Sequence, residues 1–199
     1  MVLIVNCQNG YMEKCPSQIL RNIVDAADLM ENVWMLTWKN PPDDSFHKKV
    51  NWASMRKDVE LSLYPELEQL GKRVHPMRFP QDFSPEMNEM IKASTEIYVI
   101  GANTSDWLVE IASEIWGVHR IMPRFIYDAW FTVGEKGAHM RAVNTLTRQF
   151  GANTFFSWET IKAPIIKRRE ELARLFLEAE ARAQKSSGAE AAAPPSTGA

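Results

Sequence analysis

Residues 96–117, EIYVIGANTSDWLVEIASEIWG, constrain this chain more than any other stretch. Ile97 to Ile100 is a short apolar run that reads as a buried strand, and Gly101 opens a small polar turn. A helix then follows, with Thr104, Ser105 or Asp106 as its cap and Leu108, Ile111, Ala112 and Ile115 as its buried face, ending at Gly117. A strand running through a tight turn into a helix belongs to an open α/β sheet, whose ligands sit beyond the carboxyl ends of the strands. The free N–H groups of such a helix start suit an oxyanion or a thiolate. The first turn here presents no nucleophile; it presents Trp107.

The rest of the chain extends the same alternation. Val2–Val5 reads as a strand covered on both faces, Asn6–Lys14 as a polar loop, and Pro16 onward as a helix through Met30. Val33–Trp38 is a second strand, which the Pro41-Pro42 pair terminates, and residues 45–62 form a surface excursion. Tyr64–Leu70 reads as a short helix, Arg73–Met77 as a weak third strand and Ser84–Ala93 as a helix. After the central unit come a fifth strand at His119–Met122, a helix at Glu135–Phe150 with Met140, Val143, Leu146 and Thr147 inward, and a sixth strand at Thr154–Phe156. The pattern predicts a three-layer α/β/α, Rossmann-like domain with a mostly parallel six-stranded sheet over residues 1–163. Residues 164–184 read as a charged helix whose stripe is Leu172, Leu175, Phe176 and Ala179, and residues 185–199 as a disordered tail.

Composition narrows the function. A net charge of −2 gives no global electrostatic case for nucleic acid or an anionic membrane. Cys7 and Cys15 make neither a disulfide framework nor a metal-ligand pattern, so an intracellular, reducing compartment is expected, cytoplasm and mitochondrial matrix being equally consistent. The MVLIV start has no basic region and too few apolar residues for a signal or a membrane span. His47, His75, His119 and His139 are scattered without paired spacing.

Three loops together resemble the isochorismatase-like (cysteine hydrolase) superfamily. Asn6-Cys7-Gln8-Asn9-Gly10-Tyr11 stands where that family has Asp-x-Gln-x-x-Phe/Tyr. Gly101-Ala102-Asn103-Thr104-Ser105-Asp106-Trp107 stands for Gly-x-x-Thr-x-x-Cys. Thr37-Trp38-Lys39 through Phe46 is similar to the metal-binding strand end of nicotinamidases, and Asp128-Ala129 through Gly151 to the family's strand, Asp-Ala turn and final helix. The resemblance implies strand order 3-2-1-4-5-6, self-association, and a crevice lined by Gln8, Tyr11, Trp38, Gly101 and Thr104. It also implies a triad of Asp, Lys and Cys, whose matching positions here are Asn6, Arg78 and Trp107. An amide accepts no proton near pH 7 and an indole is no nucleophile, so the family reaction is lost. The metal positions become Thr37, Lys39 and Asp43, and one carboxylate beside an ammonium does not hold zinc.

The expectation is therefore a catalytically inactive member of that superfamily, a pseudoenzyme without cofactor that serves as a structural or binding module. Its expected partners are proteins or further copies of itself in an oligomer or larger assembly, a ribonucleoprotein included. Rings at Trp34, Trp38, Trp52, Trp116, Trp130 and Trp158 are candidate contacts, with core packing as the leading reading for most of them. Basic spots at Lys48-Lys49, Arg56-Lys57 and Lys167–Arg169 are the candidate RNA contacts. The alternatives are a hydrolase of a small amide or vinyl ether with a displaced nucleophile, and a sensor that reads a small carboxylate through Arg78.

Overall fold

The computed structural model describes residues 1–38, 55, 57–133 and 137–190. Six strands form one sheet: β1 (Val2–Val5), β2 (Val33–Trp38), β3 (Arg73–Met77), β4 (Ile97–Gly101), β5 (Pro123–Trp130) and β6 (Phe155–Phe156). Their spatial order is 3-2-1-4-5-6 and every neighbouring pair is parallel, as expected. Every residue of β1, β2 and β4 is buried, which is why these strands read as continuous apolar runs rather than as alternations. β3 is an edge strand with Arg73, Val74 and Pro76 exposed, and a proline there is tolerated because the edge needs no further ladder bond.

The helices described are α1 (Asn9–Met12), α2 (Ser17–Leu29), α3 (Asp58–Leu61), α4 (Pro65–Glu68), α5 (Pro85–Ala93), α6 (Val109–Glu114), α7 (Ala138–Phe150) and α8 (Trp158–Glu190). α5 opens on Ser84, whose hydroxyl accepts a hydrogen bond from the Met87 N–H at 3.1 Å, with Pro85 in the first turn. α2 turns Ile23, Ala26 and Ala27 inward, together with Asn22, whose Nδ2 donates to the Asp128 carbonyl at 2.8 Å. A ring cluster closes the β5–β6 side: Phe125 meets Trp130 and Phe155 at 5.1 Å and Phe150 at 5.8 Å between centroids.

Four sequence expectations are corrected. The fifth strand is Pro123–Trp130, not His119–Met122, because the helix does not stop at Gly117. A π-helical turn carries it through His119, and the left-handed stop falls on Arg120 (φ 59°), whose N–H donates to the Trp116 carbonyl at 3.1 Å. Asp128 and Ala129 consequently lie inside β5 rather than in a turn. In α7 the inward line is Ala138, Ala142, Leu146 and Phe150, one residue per turn, which leaves Met140 exposed. Finally, Asn6–Lys14, expected as a polar loop, contains the short helix α1 and is largely buried.

Contacts divide the chain into residues 1–161 and residues 162–199. The helix entered at Trp158 runs on through Pro164 without a break. Residues 191–199 lie outside the described residues, as do residues 39–54 and 56, which include 45–54 and 56 of the expected surface excursion.

Candidate crevice at the carboxyl ends of strands 1 and 4

β1 ends where Asn6 takes a left-handed conformation (φ 54°), which asparagine accepts more readily than most residues. The Asn6 N–H donates to the Leu36 carbonyl at 2.7 Å, so the backbone is anchored to β2. Its side chain is completely buried, and among the described residues neither the amide nitrogen nor the amide oxygen has a hydrogen-bond partner. Such a group ordinarily costs on the order of 1–3 kcal/mol.

Gln8 is the opposite case. Its Nε2 donates to the carbonyls of Trp38 at 2.7 Å and Leu61 at 3.0 Å, while its Oε1 accepts from the Trp38 N–H at 2.8 Å. A side-chain amide thus imitates one more ladder rung between the ends of β1 and β2 and ties in the segment before α4. This expected crevice residue is a buried clip with its polar atoms engaged. Tyr11 is also buried.

On the β4 side, Gly101 is needed for its own reasons. Its φ of +105° favours glycine, and a Cβ there would collide with the carbonyl oxygen of Val5. The β4–β5 register shifts between Val99 and Gly101, and the chain leaves β4 through a cis peptide between Ala102 and Asn103. The following helix begins with a π turn over Thr104–Leu108, in which the Leu108 N–H donates to the Asn103 carbonyl at 3.3 Å. Thr104 does not spend its hydroxyl on that turn: its N–H and Oγ1 both donate to the Phe131 carbonyl, at 3.2 and 3.0 Å. The His139 ring nitrogen Nδ1 lies 3.2 Å from the same hydroxyl, and burial holds the imidazole pKa below its ordinary value. The Asn103 Oδ1 accepts from the Val133 N–H at 2.9 Å, so β4 and β5 are stitched together past their last paired residues. Nothing in the spacing of Asn103, Thr104 and His139 announced this lacing, since His139 is separated from it by a whole strand and loop.

Trp107 fills the place of the expected indole. It is buried, and its ring meets Trp38 edge-on with centroids 5.6 Å apart and planes at 64°. Arg78 is not brought to Asn6. Its side chain is 75% exposed and is engaged by Asp82, which takes a contact from Nε at 3.5 Å and a hydrogen bond from the Arg78 N–H at 3.2 Å. Thr37 is buried in β2, whereas Lys39, Asp43 and His47 lie outside the described residues. Among the described residues no group of three metal-ligating side chains gathers anywhere.

Neither thiol is placed as a nucleophile. Cys7 is fully buried and its Sγ donates to the Ile4 carbonyl at 2.8 Å; burial pushes its pKa far above the ordinary thiol range. Cys15 is half-buried, and burial pushes its pKa up to about 12. Both sulfurs are neutral thiols at physiological pH, and a thiol is not the attacking form. Asn6 and Trp107 can neither take up nor release a proton there.

A three-layer α/β/α architecture is thus present around the buried Asn6 amide and the buried Trp107 indole. The solved structures place it more closely. An isochorismatase-like hydrolase from Alkaliphilus metalliredigens shares the fold at TM-score 0.62 and 12% identity, over 80% of this chain and 95% of that one. A pyrazinamidase/nicotinamidase from Streptococcus mutans does so at 0.60 and 15%, over 78% and 98%. A MAR1 ribonuclease from Caenorhabditis elegans does so at 0.58 and 12%, over 83% and 78%. These likenesses show the isochorismatase-like fold. No family model and no curated protein matches the sequence.

Proposed function

We propose that this chain is a catalytically inactive isochorismatase-like protein, a pseudoenzyme that works as a structural or binding module in an oligomer or larger assembly. The observation that carries the reading is the pair Asn6 and Trp107: an unpartnered buried amide and a buried indole at the two strand ends that the resemblance assigns to an acid–base residue and a thiolate. The raised pKa of both thiols weighs against a displaced nucleophile. The exposure of Arg78 and its contact with Asp82 weigh against a carboxylate sensor built on that residue.

The same reading places the protein in a reducing intracellular compartment, where free Cys7 and Cys15 persist. Among the described residues no helix is long and apolar enough to cross a membrane. Of the rings offered as contact surfaces, Trp34, Trp38, Trp130 and Trp158 are buried, Trp116 is exposed, and Trp52 lies outside the described residues. A ribonucleoprotein assembly is retained as one setting, with Lys167–Arg169 as its candidate contact, and its test is nuclease treatment of the native complex.

The test of inactivity is turnover. Purified protein is assayed against nicotinamide, N-carbamoyl amides and isochorismate beside a heat-inactivated sample. The expected result is no rate above that background. Turnover that disappears in Cys7→Ser would refute the reading.

A further inference from the structure

The sequence contains one Asn-Gly pair, Asn9-Gly10, and it opens α1. Asparagine before glycine is prone to deamidate, because the second residue has no Cβ to hinder attack by its own backbone nitrogen. Here packing fixes the glycine. A Cβ on Gly10 would collide with the Met55 sulfur and would lie 3.3 Å from the Cβ and the carbonyl oxygen of Glu60. The contact between α1 and α3 that requires Gly10 therefore leaves Asn9 chemically vulnerable.

The same contact holds Asn9 in an unreactive arrangement. Its N–H donates to the Ser62 carbonyl at 2.9 Å, its Nδ2 donates to the Val59 carbonyl at 3.0 Å, and its own carbonyl accepts from the Glu13 N–H at 3.1 Å. Ring closure requires Asn9 to leave helical backbone geometry and to turn its Cγ onto the Gly10 nitrogen, and these motions break that set of bonds. α3 is held in turn by Glu60, whose carboxylate accepts from the Lys57 N–H at 3.1 Å.

We propose that Asn9 is a deamidation site gated by the α1–α3 contact, modified in chains where α1 has parted from α3 and protected where the contact is closed. In the open chain the Gly10 nitrogen attacks the Asn9 Cγ. A new N–C bond closes a succinimide, the bond from Cγ to Nδ2 breaks, and the proton from the Gly10 nitrogen leaves with Nδ2 as ammonia. Water then opens the ring and leaves aspartate or isoaspartate at position 9. Neither product carries the donor that reached the Val59 carbonyl, and a carboxylate oxygen facing a carbonyl oxygen is repelled, so α3 does not return to its former seat. Leu61 of α3 also accepts from Gln8, so the change loosens one bond of the clip at the end of β1. A transient local opening thus becomes a lasting covalent mark.

This site is independent of whether the crevice turns over any substrate. The full chain is incubated at mildly alkaline pH, native and in urea, and the peptide containing Asn9 is followed by mass spectrometry for the exchange of amide for acid. The native rate should be slower than the rate in urea by at least about tenfold, because only the open fraction reacts. Glu60→Ala removes the carboxylate that holds the start of α3 and keeps the Cβ beside Gly10. It should raise the native rate several-fold and leave the rate in urea unchanged. Asn9→Asp, which reproduces one product, should speed hydrogen–deuterium exchange of the α3 amides at Glu60, Leu61 and Ser62, which are bonded to the Lys57 and Asp58 carbonyls in the wild type. Equal rates in native and unfolded chains, or a native rate indifferent to Glu60→Ala, would overturn the gate. Unaltered exchange of α3 in Asn9→Asp would overturn the lasting mark.

Discussion

Gln8→Ala is the substitution that probes the architecture of the crevice most sharply. The wild-type side chain makes three hydrogen bonds, two buried ones to Trp38 and a part-buried one to Leu61, at 2.7–3.0 Å. At about 1 kcal/mol each, their loss costs about 3 kcal/mol, and the volume vacated by the side chain adds to this. For a domain of this size, with a urea dependence of about 2 kcal/mol per molar, the unfolding midpoint should fall by at least about 1.5 M. Gln8→Glu separates hydrogen bonding from volume. Glutamate still accepts from the Trp38 N–H, but as a carboxylate it turns an acceptor toward the Trp38 and Leu61 carbonyls. Its folded pKa must therefore rise above the unfolded value of about 4.3. A raised folded pKa means that the native state holds the proton longer, so stability is greatest below about 4.3 and is lost as pH climbs through the folded pKa. Urea titrations of the wild type and both variants at several pH values give all of these quantities. A loss below about 1 kcal/mol in Gln8→Ala would refute the description of Gln8 as the clip between β1 and β2.

Other substitutions follow from the same geometry. Gly101→Ala adds a Cβ against the Val5 carbonyl at φ +105° and should destabilise by about 2 kcal/mol or more, read as a lowered melting temperature or as insoluble protein. Asn6→Gly removes an unpartnered buried amide and suits φ 54°, so its melting temperature should equal or exceed that of the wild type. Asn6→Asp buries an uncompensated carboxylate, raises its folded pKa and should lose stability progressively as pH rises above about 4, measured by thermal melts across pH. Trp107→Ala empties one side of the edge-on pair with Trp38 and should cost about 3–5 kcal/mol, with a change in tryptophan fluorescence.

Much of the fold was legible because burial on both faces writes itself into sequence as uninterrupted apolar runs. Val2–Val5, Val33–Trp38 and Ile97–Ile100 were found with their boundaries nearly intact for that reason. The fifth strand was displaced because Gly117 reads as a helix stop, whereas the left-handed residue is Arg120, a type that seldom signals one. A large apolar side chain suggests burial for Met140, yet in α7 the small Ala138 and Ala142 pack inward and Met140 is exposed. In the site, Asn6 and Trp107 could be singled out from their positions next to strand ends. The exposure of Arg78 was not readable, because a residue just beyond an edge strand is free to turn toward solvent and Asp82. Gln8 looked like a lining residue because nothing local shows that its three partners lie on Trp38 and Leu61.

The central claim is that no thiolate stands ready in this protein. The direct measurement is the rate at which iodoacetamide modifies Cys7 and Cys15 in the native chain as a function of pH, resolved by mass spectrometry. With Cys15 pushed up to about 12 and Cys7 higher still, native alkylation at pH 8 should be slower than that of a free thiol by on the order of 10³, rising only after unfolding. A native cysteine that reacts as fast as free thiol, with a rate that titrates below about pH 8.5, would contradict the account.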